Sequence, residues 1–176
     1  MWCMTPFYEM SAKIPLIILP AKGDRRLPPG REDDRFAEFG DIMPTLLDLA
    51  GIEIPAHVNQ LSLVGGKRRD YIYGEHGEAM RAQRMIRRGR HKLIYYPAGN
   101  QTQLFDIASD PRETTDLAAD PAHAAELAEL RALLVENSYG NDREWIRDGR
   151  IVGLGDAPFV RGDIRGLQGQ RGLRFM

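Results

Sequence analysis

The chain has 176 residues, 43% hydrophobic and 28% charged, ordinary proportions for a globular protein of one domain or a little more. No apolar run approaches the roughly 20 residues a membrane helix needs, and no basic start leads into a long apolar stretch, so neither a membrane span nor a signal peptide is expected. One cysteine, Cys3, excludes an internal disulfide framework and a cysteine-rich zinc site, and a net charge of −1 gives no general attraction to nucleic acid.

The charge is unevenly spread. Residues 65–92 hold nine Lys or Arg against three Asp or Glu, and residues 106–136 hold two against eight. Arg outnumbers Lys by 20 to 4. Arg can clamp carboxylate, phosphate or sulfate in a bidentate way that Lys cannot. Most of these side chains nonetheless read as surface charge.

In chain order, the run 14–19 (Ile-Pro-Leu-Ile-Ile-Leu) predicts a strand covered on both faces, as in a parallel sheet. Residues 20–35, rich in Pro, Gly and mixed charge, predict an exposed loop. Residues 41–50 predict a helix, with Asp41 as N-cap, Pro44 in the first turn and Ile42, Leu46 and Leu49 on one face. Gly51 suits a left-handed C-cap. Short strands are predicted at 70–74, 84–87, 92–96 and 103–107, with tight connections at 88–91 and 97–100 that imply an antiparallel sheet. A helix follows over 121–136, capped by Asp120 and opened by Pro121. Its Leu127, Leu130 and Leu134, widened by Leu133, should pack on the sheet.

Residues 137–176 carry eight of the 18 glycines and read as an extended Gly/Arg-rich tail. A short helix over 141–147, anchored by Trp145 and Ile146, interrupts it. The divisions expected are therefore 1–65, 66–136 and 137–176.

For chemistry, the chain has no phosphate loop, no His-Glu-x-x-His and no nucleophile elbow. His57, His91 and His123 stand isolated in loop, turn or helix surroundings and read as surface residues. Glu75 and His76, flanked by Gly74 and Gly77 at a strand end, are the residues placed to face a ligand cleft. The alternative is a solvated turn. The acidic stretch 106–113 lacks the spacing of an EF-hand and reads as a turn. Arg81, Arg84, Arg87, Arg88 and Arg90 suggest an anion patch, or an exposed strand face of ordinary surface charge.

Four segments together resemble the C-terminal part of sulfatases of the alkaline-phosphatase superfamily, in the choline-sulfatase-like and arylsulfatase-like branch. They are Thr5 to Ile18, with its aromatic-Glu pair Tyr8-Glu9 before Lys13 and the Ile14-Pro15-Leu16 run; Asp41 to Gly51; Arg84 to Ile94; and Gln103 to Leu117. The resemblance implies an α/β fold: the last strand and helix of an alkaline-phosphatase-like sheet, plus a small C-terminal antiparallel sheet packed on a helix. It implies sulfate-ester hydrolysis with a formylglycine nucleophile and bound calcium in the full-length enzyme.

The family's Cys/Ser-x-Pro-x-Arg nucleophile motif does not occur in these 176 residues, and Met4 stands where the family often has a sulfate-binding Lys. The N-terminal catalytic half thus reads as missing, with no catalytic residue and no metal ligand expected here. Tyr8, Glu9 and Lys13 are carried over as positions near the active-site sheet edge. Glu75 and His76 are expected to bind substrate. The partner implied is a small sulfate ester, not nucleic acid or membrane, with homo-oligomer formation through the tail as a possibility. The alternatives are a non-catalytic module with an Arg-rich face and a segment of a related phosphonate or phosphate ester hydrolase. The compartment is left open.

Overall fold

The computed structural model describes residues 7–155 except 20, 28, 29 and 31. Its centre is a four-stranded antiparallel meander in sequence order: β1 (Tyr71–His76), β2 (Gln83–Arg88), β3 (His91–Tyr96) and β4 (Gln101–Asp106). Register pairs Glu75 with Arg84, Leu93 with Ile86, and Leu104 with Leu93. All four strands fall within two residues of the stretches expected from the sequence, and the β2–β3 connection is the two-residue turn Gly89-Arg90.

Alternation along each strand sends side chains to two faces, and both are covered. On one face Ile86, Leu93, Tyr95 and Leu104 pack against Leu130, Leu134 and Trp145. Leu130 and Leu134 belong to helix α3 (Ala124–Asn137), which continues a 3-10 turn, Pro121–His123. The side chain of Asp120 accepts from the Ala122 N–H, so the expected cap forms. Leu127 and Leu133 are partly buried at the edge of this cluster. On the other face Met85, Ile94, Phe105 and Ile107 pack against Phe7, with Tyr8 alongside.

Phe7 sits directly over β1. A Cβ at Gly74 would stand 2.6 Å from Phe7 Cε1 and 3.2 Å from Met85 Cε, so only a side chain of hydrogen lets the ring seat there.

The N-terminal segment departs from expectation. A four-residue helix, α1 (Glu9–Ala12), follows Phe7. Residues 14–19 then run without strand partners, and Ile17 and Leu19 are 88% and 92% exposed. The predicted strand is therefore not formed. A strand needs a neighbour's hydrogen-bond ladder, and no described strand lies beside this run.

Helix α2 (Ile42–Leu49) forms where expected, after a 3-10 turn, Phe39–Asp41. Gly51, at φ 69°, ends it in a Schellman motif: Ile52 N–H donates to Leu47 O and Gly51 N–H to Asp48 O. Two details differ from the sequence reading. Pro44 and Thr45 are its buried residues, whereas Leu46 and Met43 are exposed. Asp41 occupies the N-cap position, but its carboxylate does not cap the helix. It accepts instead from the N–H groups of Glu38 and Leu61 and from both terminal nitrogens of Arg69 at 2.6 Å. This buried hub ties loop 36–41 and residues 61–69 to α2.

Beyond α3 the chain folds back on the sheet. Residues 140–145 form a 3-10 helix, and a two-stranded hairpin follows, β5 (Ile146–Arg147) with β6 (Arg150–Ile151). The short helix and its Trp145 anchor match expectation, with Trp145 in the core. The hairpin stands where extended chain was expected. The remainder of the expected tail, 156–176, lies outside the described residues, as do Cys3 and Met4.

Candidate functional site

The densest polar cluster lies where the N-terminal segment meets β2 and β3. Lys92, the second residue of β3, points to the Phe7 face ahead of the apolar stretch Leu93 to Tyr96 and is wholly buried. Its Nζ donates to Phe7 O at 2.7 Å and to Glu9 Oε1 at 2.9 Å. It also forms an ion pair with Glu113 Oε1 at 2.5 Å. The other Glu113 oxygen accepts from the Glu9 N–H at 2.5 Å. Arg87, two residues from Met85 on the same face, donates from Nη1 to both Glu9 oxygens and lies over the Phe36 ring at 5.3 Å.

Burial pushes the Glu9 carboxyl up. The hydrogen bond and charge of Lys92, followed by the charge of Arg87, outweigh that effect and hold it below its ordinary range. Glu113 reaches this position from a left-handed backbone, φ 54°, in the turn after β4. Two cations and two carboxylates thus neutralise one another, and the result is a clamp that fixes the start of α1 on the sheet.

Beside the clamp opens a cleft of about 770 Å³, lined by Tyr8, Ser11, Gln83, Gln103, Arg112 and Asp116 among others. Tyr8 and Tyr96 both donate to Gln103 Oε1, at 2.9 and 3.2 Å. Burial, with the neighbouring Tyr8 next in weight, pushes the Tyr96 phenol up to about 12. This wall sets neutral hydrogen-bonding groups beside Arg81, Arg112, Glu113 and Asp116, with Met10 and Met80 as apolar lining, a mixture suited to a ligand with polar and apolar parts. A second, smaller hollow of about 410 Å³ lies between Glu9, Lys13, Arg87 and Arg90.

Glu75 and His76 sit at the exposed end of β1. Glu75 accepts a hydrogen bond from the Tyr139 hydroxyl at 2.7 Å. The His76 carbonyl accepts from Arg84 Nη1 at 3.2 Å. Neither side chain lines the larger cleft, whose wall on this side begins at Met80.

The arginines do not form an open anion patch. Arg84 is buried, with Nε and Nη2 each 2.6 Å from an Asp142 oxygen, and its guanidinium lies 5.5 Å from the Trp145 ring centre. Arg88 pairs with Asp70 and Glu129, and Arg90 with Asp106. The expectation of an exposed strand face fails for Arg84 and Arg87, where the sheet is covered on both sides, whereas Arg81 and Arg90 are exposed and Arg88 is half-exposed, as surface charge. A strand Arg under such cover must bring a carboxylate partner with it.

Calcium takes six to eight oxygen ligands. The acidic groups nearest the cleft are committed elsewhere: Glu113 to Lys92, Asp106 to Arg90, and Asp110 to the N–H groups of Thr114 and Thr115. Asp116 accepts from the N–H groups of Leu104 and Ala118. These residues do not fit a calcium shell.

The family described as N-sulphoglucosamine sulphohydrolase, C-terminal, matches residues 4–139. The chain belongs to this family. An arylsulfatase of Clostridium perfringens is 33% identical over 151 residues, 82% of this chain and 31% of that protein. A choline-sulfatase of Rhizobium meliloti is 35% identical over 124 residues, 65% of this chain and 23% of that protein. A solved 2-O GAG sulfatase is 37% identical, with a TM-score of 0.51 over 55% of this chain and 23% of that one.

The sulfatase resemblance read from the four sequence segments is thereby borne out. The chain spans about a third or less of the length of these curated relatives. Every clamp residue of this sulfatase C-terminal region lies inside the matched stretch, whereas Asp142 and Trp145 lie beyond it.

The sequence reading placed Glu9 near the site through the resemblance and named Arg87 only as part of an anion patch, and it missed Lys92 and Glu113. A signal was available for Lys92. A single charge inside the run Lys92-Leu-Ile-Tyr-Tyr cannot be buried without partners.

Proposed function

We propose that this chain is the C-terminal region of a sulfuric-ester hydrolase and that it builds one wall of the substrate cleft. The observation that carries this reading is the family match over residues 4–139, which contains the whole clamp and the adjoining cleft wall. Bond cleavage belongs to residues outside this chain: a formylglycine made from Cys or Ser, and the calcium that these residues do not fit. The clamp holds α1 at a fixed height on the sheet, so that Tyr8 and Ser11 face the cleft. The exposed run 14–19 and the exposed Met43 and Leu46 of α2 are the surfaces that the rest of the enzyme would cover.

Glu75 and His76 act in this reading as rim residues that select the part of the substrate beyond the sulfate. Tyr139 orients the Glu75 carboxylate, and the turn that follows β1 supplies Met80 to the cleft wall. Neither residue breaks the ester bond. The ion pairs that Arg84, Arg87, Arg88 and Arg90 make within the chain favour this reading over the rival interaction module.

The test compares this 176-residue chain with a full-length enzyme carrying it, on 4-nitrophenyl sulfate and on a phenyl phosphonate ester. The chain alone is expected to be inactive, and the full-length enzyme to release sulfate. Turnover by the chain that survives repurification would place a nucleophile within these residues. A clear preference of the full-length enzyme for the phosphonate ester would favour the related hydrolase instead.

A further inference from the structure

Away from the clamp and on the opposite face of the sheet, three side chains meet at the junction of β3 and α3. They are His91, the first residue of β3; His123, the last of the 3-10 turn; and Glu126, in the first turn of α3. One ligand-type atom from each lies within 4.8 Å of the other two. The two imidazole rings stand edge to face, 6.0 Å apart.

The sequence spacing explains half of the arrangement. His123 and Glu126, three residues apart on one helical path, project from the same side. The sheet register supplies the rest, because His91 follows the β2–β3 turn and points to the helix side, alternating with Lys92.

What separates this trio from an incidental cluster is its unpaired atoms. His123 Nδ1 and Glu126 Oε2 are both shielded from solvent and have no hydrogen-bond partner. A buried polar atom left without a partner is costly, and two of them in one cluster with a second imidazole call for a shared partner. Neighbouring charges do not supply one. Arg88, the register partner of His91 across the β2–β3 turn, is taken by Glu129 and Asp70, and Arg90 by Asp106.

We propose that His91, His123 and Glu126 form a zinc site that ties the start of β3 to the start of α3. Two neutral imidazoles and one carboxylate suit zinc or a related transition metal and are a poor set for calcium. Zinc takes nitrogen and oxygen ligands at about 2.0–2.2 Å in a tetrahedron, with water in the fourth place of a three-ligand site. Ligand atoms around such an ion sit about 3.3–3.5 Å apart. The spacing of up to 4.8 Å in the metal-free structure would have to contract to that range on binding. The site is separate from the substrate cleft and does not depend on the sulfatase reading.

The test is a calorimetric titration of the untagged, metal-stripped 176-residue chain with zinc chloride, with calcium chloride as the comparison. One zinc per chain is expected, and calcium should give no saturable heat. Changing residues outside the first ligand shell of zinc sites typically weakens binding about 10–100-fold, so His91→Ala and His123→Ala should each weaken it at least that much. Glu126→Gln keeps the helix and should weaken binding while leaving the metal-free melting curve unchanged. Bound zinc should also raise the melting temperature of the parent chain, and do so little or not at all in the variants. His57→Ala and His76→Ala should bind as the parent does. Equal zinc affinity and stoichiometry in the parent and His123→Ala, or no saturable zinc binding in a folded parent chain, would overturn the proposal.

Discussion

Single side chains set the acid response of this protein. Burial pushes the carboxyls of Glu9 and Asp41 up, but Lys92 with Arg87 in one case and Arg69 in the other hold both below their ordinary values of 4.5 and 3.8. A depressed carboxyl contributes stability that is complete above its ordinary value and is lost as the pH falls through the lower folded-state value. Glu38 is raised by burial and opposes this in part, because its contribution fades as the pH rises through its folded-state value. Asp24, Asp33, Asp106 and Asp110 are also held below the ordinary range by their hydrogen bonds, so the depressed carboxyls outnumber the one raised group and the net effect is a loss in acid. Urea unfolding followed from pH 7 to pH 3 should show a plateau down to about pH 5 and then a decline. Asp41→Asn should lower the plateau and flatten the decline, and an unchanged slope would remove Asp41 from the account.

Glu75 makes a different kind of prediction. Its carboxylate is exposed and oriented by Tyr139. In a full-length enzyme, Glu75→Gln should mainly raise KM and shift substrate preference while leaving kcat close to that of the parent. That is the signature of a lost contact made equally in the bound and transition states. A fall in kcat of several orders of magnitude would make Glu75 catalytic, and identical kinetics on every ester tried would leave it a turn residue held by Tyr139.

At the level of elements, the sheet and α3 form the most interlocked unit. Leu130 is buried among Leu93, Leu104, Leu134 and Trp145. Leu130→Ala removes a buried branched side chain and leaves a cavity, at a cost of about 2–4 kcal/mol by denaturant unfolding. A cost near zero would mean that the helix is only loosely seated. The buried Arg84–Asp142 pair fastens the 3-10 helix 140–145 to the same unit. Arg84 also satisfies the carbonyls of His76, Gly77 and Gln83.

Across the whole molecule, apolar surface is divided unequally. The sheet is sealed on both faces, whereas the N-terminal part leaves Met10, Ile14, Ile17, Leu19 and Leu46 at 60–92% exposure. An extended apolar run without a neighbour is a template for pairing with another chain. The isolated chain should therefore self-associate in sedimentation experiments. Replacing Ile17 and Leu19 together by Lys should shift it towards monomer without changing the unfolding of the sheet. A monodisperse parent chain with a cooperative melt would show that the run finds cover within its own chain.

The sequence alone determined the parts whose cause is local. Strand alternation, the Asp120-Pro121 start, the leucine spacing of α3 and the Gly51 stop each depend on residues a few positions apart, and all four appear in the structure. Only the tertiary structure decided the rest. Whether the apolar run 14–19 becomes a strand depends on a neighbouring ladder that its own residues cannot supply. Whether an arginine in β2 is surface charge or a buried anchor depends on what covers the second face. That cover comes from Glu9 and Phe36 on one side and Asp142 and Trp145 on the other, each more than 50 positions away from the arginine it meets. For the same reason His91 and His123 read as isolated histidines in the sequence, although the fold places them 6.0 Å apart. Spacing along a chain reports contacts within one element, whereas burial and side-chain clusters are set by elements meeting in space.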